Sequence, residues 1–324
     1  MGCFYHICAL NVIQMKNQRV VVTGGAGFIG SHLVSKLVES GNEVVVIDIL
    51  LRGNKIPHDI FKKVEFHKVD VTDREKVIEI SKGADIIYHF AAILGVDIVA
   101  DNPIETMETE VNGMQSVAAA AIQNQIKKIV YASTSGVYGH LALEKSVDEE
   151  ILVDPRTSYA MAKRYNEIYL ASLYEEKGIH SVAIRFFNVY GLRQDNRMVI
   201  PRFFEQALAN DPITVFGTGE QTRDFTYVDD AVKASILLGV NGKGFEIFNV
   251  ANERESTIGE VASLIKELTN SKSEIKYIDA PKKRYDYEVG RRFGSSTKLE
   301  NHIGYKPNTR LREGLLVLLA EVNN

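Results

Sequence analysis

Seven residues near the start of the chain constrain its fold more than any others. Gly24-Gly25-Ala26-Gly27-Phe28-Ile29-Gly30 follows Arg19-Val-Val-Val-Thr23, a β-branched run of the kind that fills a strand buried on both faces. It opens a segment, 28–40, in which Ile29, Leu33 and Leu37 recur at helical spacing before Gly41-Asn42 ends the pattern. The glycine spacing, G-x-x-G-x-x-G, is one residue wider than the G-x-G-x-x-G form but makes the same physical demands. Gly24 permits the tight turn, Gly27 lets backbone approach a pyrophosphate, and Gly30 lets helix and sheet pack closely. The helix N-terminus then faces the anion.

The same rhythm continues. Apolar runs at 44–48, 64–67, 85–89, 128–132 and 181–186 read as strands, with helical patterns at 73–81, 103–122 and 158–176 between them. Such alternation predicts an α/β fold with a doubly wound parallel sheet of the Rossmann type. After Asn188 the pattern loosens. Helices are expected at 199–209, 229–240, 257–268 and 311–319, a turn and short strand within 211–217, and a strand at 245–250. The expected organisation is an extension at 1–15, a dinucleotide-binding domain from 16–187 plus 227–250, and a smaller α/β substrate-binding lobe from 188–226 plus 251–324.

Composition narrows the function. With 38 Lys and Arg against 42 Asp and Glu, the net charge of −4 supplies no basic face for nucleic acid. No apolar run reaches the roughly 20 residues that span a bilayer. Cys3 and Cys8 are the only cysteines, which excludes a disulfide framework and a cysteine-based zinc site and favours a reducing cytoplasm. The histidines show no metal-ligand spacing, so no metal site is expected. Gly2-Cys3 hints at an acyl anchor, but His6 stands where that pattern wants Ser or Thr. The reading preferred is an upstream-start extension with Met15 as the functional start.

Asp48 closes the second strand about 20 residues beyond the glycines, where a carboxylate can accept a hydrogen bond from a ribose 2′-hydroxyl and repel a 2′-phosphate. NAD is therefore the expected cofactor, with Arg52 close enough to soften the preference. Tyr159 and Lys163 stand four apart on one face of a helix. A nearby ammonium is expected to lower the phenol pKa and make tyrosine a usable acid/base near neutrality. An exposed helix pair is the alternative reading. Ser133-Thr134-Ser135 lies at a strand C-terminus, where ligands bind in open α/β sheets. Hydroxyls there either share the substrate oxygen with Tyr159 or serve the turn.

With these residues in view, the chain from Arg19 to about Leu319 resembles the extended short-chain dehydrogenase/reductase family, in its sugar-nucleotide epimerase/dehydratase branch. The likeness rests on Thr23-Gly-Gly-Ala-Gly-Phe-Ile-Gly30, His89-Phe-Ala-Ala92, Ser133-Thr-Ser-Gly-Val-Tyr-Gly139, Tyr159 with Lys163, Arg185-Phe-Phe-Asn-Val-Tyr-Gly191 and Gly217-Thr-Gly-Glu-Gln-Thr-Arg-Asp224. The resemblance implies that Tyr159 is the base, that Lys163 also holds the nicotinamide ribose, and that Thr134 touches the reacting sugar oxygen. It implies cofactor contacts from Gly24, Gly27, Phe28, Ile29, Gly30, Asp48, Asp70, Val71 and Ala91. On the substrate side it implies Asn188 and Arg223 at the diphosphate, with Arg284 as a second candidate. Phe216 either flanks the nucleotide base or fills the lobe core.

One departure bears on the reaction. Dehydratases and decarboxylases of this branch commonly carry an acid just after the hydroxyl residue, and here Ser135-Gly136 occupies those positions. The expected activity is C4 epimerisation of a UDP-sugar through a transient 4-keto sugar. The alternatives are a 4,6-dehydratase, a uronate decarboxylase, a keto-sugar reductase, or a non-catalytic NAD sensor. The resemblance also implies a homodimer through the helices at 103–122 and 158–176, offering Met107, Val111, Met114, Ile168 and Leu173; the alternative is that these residues face their own sheet. Specificity is expected in the loops 94–98 and 194–198.

Overall fold

A computed structural model describes residues 15–93, 101–143, 146–279 and 290–322. Its first half runs β1 (Arg19–Thr23), α1 (Phe28–Glu39), β2 (Glu43–Ile47), α2 (His58–Phe61), β3 (Glu65–His67), α3 (Arg74–Ile80), β4 (Ile86–His89), α4 (Pro103–Gln123), β5 (Lys128–Thr134), a 3₁₀ segment (Ser135–Leu143), α5 (Ser158–Lys177) and β6 (His180–Phe186). There follow β7 (Val189–Tyr190), α6 (Val199–Ala209), β8 (Ile213–Phe216), β9 (Thr222–Asp224), β10 (Thr226–Tyr227), α7 (Val228–Asn241) and β11 (Phe245–Val250). The chain closes with β12 (Glu255–Thr257), α8 (Ile258–Leu268), β13 (Ile275–Ile278), β14 (Arg291–Arg292), α9 (Thr297–Ile303) and α10 (Leu311–Val322).

Seven strands form one parallel sheet in the order β3-β2-β1-β4-β5-β6-β11. The chain leaves β1 toward β2 and β3, then returns to β4 on its other side. The β1–β4 boundary is thus the switch point outside which doubly wound sheets bind ligands. Both sheet faces are covered, which is why the inner strands β1, β2 and β4 carry unbroken apolar runs, whereas the edge strand β3 reads Glu-Phe-His. Val20, Val22, Val44, Val46 and Tyr88 pack with Leu33, Val34 and Leu37 of α1 and with α7. Val21, Val45, Ile87, Ile129 and Tyr131 face the other way, onto Val77, Met114, Val117, Leu170 and Leu173 from α3, α4 and α5.

Elements beyond the sheet include β12-β9-β14, β10-β7 and β13-β8. The short strands β7, β9, β10, β12, β13 and β14 and the helix α9 are not among the expected elements, because each is too short to develop a readable sequence period. Met15, last residue of the expected extension, is buried: its carbonyl accepts the Asn42 side-chain amide, and its sulfur lies 3.9 Å from the Tyr88 hydroxyl. No described helix is long and apolar enough to cross a membrane.

Candidate active site

The glycine turn joins β1 to α1 at the switch point. Gly24 has φ +71°, and a Cβ there would lie 2.6 Å from the Phe90 carbonyl carbon, so this close approach to the end of β4 admits only glycine. The Gly27 amide returns to the Gly24 carbonyl at 3.1 Å. No side chain caps α1, and its first turn carries no acid. An uncapped helix start above a glycine cradle suits an anionic diphosphate, so the residues here fit a dinucleotide.

Asp48 is tied to that turn. One carboxylate oxygen accepts the Ala26 amide at 3.0 Å and the other the Leu50 amide at 2.7 Å. Burial pushes this carboxyl up while the two amides pull it back. Asp70 is exposed, and its carboxylate accepts both the amide and the hydroxyl of Thr72 at 2.8 Å. Val71 is buried against Gly113 of α4. The Ala91 amide donates to the Thr23 hydroxyl, which also meets His89 Nδ1 at 2.7 Å. His89 is buried, stacks on Tyr131 and is pushed down to about 3 by burial, with Lys163 adding to the effect.

Thr134 ends β5, and Tyr159 and Lys163 lie in the first two turns of α5. Thr157 caps α5, its hydroxyl accepting the Ala160 amide at 3.0 Å, and so fixes the first turn that carries Tyr159. The Thr134 hydroxyl accepts the Gly136 amide at 3.0 Å. Lys163 is fully buried, with its ammonium 5.3 Å from the Tyr159 ring centre and 4.7 Å from that of Tyr131.

The expected direction of the phenol shift is overturned. Tyr159 is pushed well above the usual tyrosine range, first by burial and then by the Glu110 carboxylate. Lys163 is engaged by that same carboxylate, at 2.9 Å, and both side chains are fully buried. Burial and the Glu110 carboxylate act in the same direction, so the phenol is not lowered as it would be beside a lone ammonium. Sequence reading missed Glu110. The available signal was an acid on the α4 surface whose neighbours one turn on, Gly113 and Met114, are core residues, since an ionised side chain in such a place needs a partner.

The flanking serines do not serve the substrate in this arrangement. Ser133 is buried and donates to Glu167 at 2.7 Å, and Ser135 is buried as well. Glu167 receives Arg185 through two nitrogens at 2.9 and 2.8 Å.

In the second half, Asn188 sits just beyond β6 with φ +23°. Its carbonyl accepts the Thr226 amide at 3.3 Å, while its buried Nδ2 makes no hydrogen bond to protein. Such a donor suits the anionic oxygen proposed for it. Phe216 ends β8 half-buried, its ring centre 4.7 Å from the Arg202 guanidinium. Arg223 on β9 donates to the Thr222 carbonyl at 2.8 Å. The register of β14 on β9 sets Arg292 beside it, a neighbour the sequence reading missed. Arg284 and the loop 94–98, with Asp97, lie outside the described residues. In the other specificity loop, Gln194 donates to the Val189 carbonyl and Asp195 pairs with Arg197. Among the described residues no group of three His, Cys, Asp or Glu is placed to hold a metal.

Of the helix residues expected at a dimer interface, Met114 and Leu173 are instead buried in the core of their own chain, where the 3.6-residue repeat turns them onto the sheet. Val111 is half-buried, and Met107 and Ile168 are exposed.

Comparison with known proteins places this geometry. Residues 20–251 match the model of the NAD dependent epimerase/dehydratase family. The chain is 36% identical over 309 residues to a UDP-N-acetyl-alpha-D-glucosaminuronate decarboxylase of Bacillus cytotoxicus, covering 92% of this chain and 95% of that one. It is also 36% identical over 301 residues to a putative UDP-glucose 4-epimerase of Methanocaldococcus jannaschii, covering 91% and 95%. Among solved structures, the UDP-glucose 4-epimerase of Thermotoga maritima with UDP-glucose superposes with a TM-score of 0.88 at 31% identity, over 94% of this chain and all of that one. With the doubly wound sheet, the glycine cradle at its switch point and the Tyr159–Lys163 pair on α5, the chain belongs to the NAD-dependent epimerase/dehydratase family of nucleotide-sugar-modifying enzymes.

Proposed function

We propose that this enzyme inverts C4 of a nucleotide sugar, a UDP-hexose, UDP-N-acetylhexosamine or UDP-uronate, through a transient 4-keto sugar. The observation that carries the reading is Gly136. A Cβ there would lie 3.3 Å from the Thr134 hydroxyl oxygen and 3.7 Å from the Ala160 Cβ, so a side chain at 136 would reach the Thr134–Tyr159 end of the site. The chain puts no carboxyl in that position. Among the described residues, Glu110 and Glu167, the acids paired with Lys163 and Arg164 of α5, are both buried and held by cations. Elimination of water across C5 and C6 needs a base for C5 and an acid for the leaving hydroxyl, and neither carboxylate is presented to a sugar.

Epimerisation asks for less. Tyr159 takes the C4 hydroxyl proton through its ionised fraction, which its upward shift keeps small near neutrality and which grows as pH rises, and Thr134 would hold the same oxygen. The glycine turn, Asp48 and Lys163 are the residues that would hold NAD, which when bound would supply the hydride acceptor. Asn188 and Arg223 would hold the diphosphate while the 4-keto sugar turns, and Tyr159 would return the proton to the C4 oxygen. The overall reaction is redox-neutral. A second reading, uronate decarboxylation, is favoured by the Bacillus relative; it shares the C4 oxidation and then loses the C6 carboxylate.

Product analysis separates the two. UDP-glucose, UDP-N-acetylglucosamine and their uronic acids are incubated with enzyme without added reductant. A product of unchanged mass with inverted C4 by NMR is expected. A product lighter by one water or one CO₂ overturns the epimerase reading.

We further propose a homodimer through α4 and α5, where Ile104, Met107, Met161, Tyr165 and Ile168 are exposed.

A further inference from the structure

We propose that Glu110 is the positioning residue of the Tyr159–Lys163 pair: a buried counter-ion on α4 that fixes the Lys163 ammonium beside the phenol. The inference rests on the reading of Tyr159 as the base, and holds for epimerisation and decarboxylation alike.

The argument starts from burial. Lys163 and Glu110 have no solvent-exposed side-chain surface, and their charged atoms are 2.9 Å apart. An ammonium taken out of water without a counter-ion is strongly disfavoured. Lys163 has aromatic rings on two sides, Tyr131 and Tyr159, and the carboxylate is the formal charge that compensates it. Glu110 is itself held in register. Asn166, on α5 with Lys163, donates at 3.0 Å to the Glu110 carbonyl and at 2.9 Å to the Tyr131 hydroxyl, tying α4, α5 and β5 at one level.

The surroundings leave Glu110 as the charge that governs the pair. From β4, His89 is neutral above about pH 3. From β5 come Tyr131, pushed above the usual tyrosine range by burial, Ser133 and Thr134. From β11 come the apolar Phe245 and Ile247. Arg185 of β6 is committed to Glu167 and to the Tyr138 hydroxyl of the 3₁₀ segment, and Arg164 on α5 also meets Glu167. Glu110 therefore acts in two ways. It sets where the ammonium sits, 2.9 Å from its carboxylate, and its negative charge adds to the burial that already pushes the Tyr159 phenol up.

These two actions separate in two variants, read from kcat against pH alongside Tyr159→Phe. Glu110→Gln keeps the size and removes the charge. The ascending limb of the profile is expected to move down by about one pH unit, because a like charge near the phenol is gone. Glu110→Asp keeps the charge and withdraws it by one methylene. Its limb is expected to stay in place while kcat falls by about tenfold or more, as misplacement near 1 Å does. A Glu110→Gln limb that coincides with the parent, or parental kcat in Glu110→Asp, overturns the assignment; if Glu110→Gln does not fold, the Asp variant decides it. Near-normal turnover in Tyr159→Phe overturns the catalytic reading itself. An inactive Tyr159→Phe with an unmoved Glu110→Gln limb overturns the role of Glu110 alone.

Discussion

Helix α5 carries two buried ion pairs one turn apart, and they are built differently. Glu167 is saturated. It accepts Ser133 at 2.7 Å, Arg185 at 2.9 and 2.8 Å and Arg164 at 3.0 Å. Arg185 continues to the Tyr138 hydroxyl, which donates to Asn249 of β11. Lys163 meets one carboxylate and two ring faces. A buried ion pair offsets its desolvation only when its remaining donors and acceptors are also met. The first pair satisfies that condition and acts as architecture, fastening β5, β6, β11 and the 3₁₀ segment. The second leaves the ammonium without a hydrogen bond to protein, as the ribose-holding role proposed for Lys163 requires.

If that contrast is right, removing Glu167 should be the most damaging change to folding. Glu167→Ala leaves Arg185 buried without a counter-charge and is expected to cost about 3–5 kcal/mol, measured by urea denaturation. A loss below about 1 kcal/mol would show the saturated pair to be no more structural than its neighbour.

Acid sharpens the contrast next. His89 stacks on the Tyr131 ring, whose centre lies 4.7 Å from the Lys163 ammonium, so protonation there would crowd the sparse pair with a second cation. Its folded value of about 3 lies below the unfolded value, near 6.5. The unfolded chain therefore takes up the proton first as pH falls, and the stability His89 contributes above pH 6.5 is lost progressively on the way down toward pH 3. Between pH 6.5 and 5 the parent should lose about 2 kcal/mol more than His89→Asn, by denaturation at both pH values. Equal losses would mean that His89 does not feel the pocket.

The smallest effect is expected at Ser133. Ser133→Ala removes one of four donors to Glu167 and should cost about 1 kcal/mol with turnover changed less than about threefold. A drop in kcat near that of Tyr159→Phe, about 10²–10⁴-fold, would move Ser133 from the scaffold to the substrate.

Much of the architecture is legible without coordinates. The inner strands β1, β2 and β4 appear as apolar runs because both their faces are covered, and α1, α4 and α5 appear at their 3.6-residue period within one residue of the observed ends. Where no period can develop, as in the two- and three-residue strands β7, β9, β10, β12 and β14, the pairing is decided by register with distant segments. Met114 and Leu173 show the limit of the period itself. It says that a helix has an apolar face, while the sheet beneath it decides which residues of that face stay exposed.

The sequence by itself determined what depends on neighbours along the chain: the left-handed turn at Gly24, the uncapped start of α1, the four-residue step from Tyr159 to Lys163, and the missing carboxyl at Gly136. Tertiary structure alone decided what depends on solvent and on charge across space. It brought Glu110 from α4 to Lys163, withdrew Ser133 into the Glu167 network and reversed the expected shift of Tyr159. Bond geometry acts over a few residues and is written locally. Desolvation and Coulomb energy depend on everything within several ångströms, and at this site that neighbourhood is gathered from β4, β5, α4 and α5.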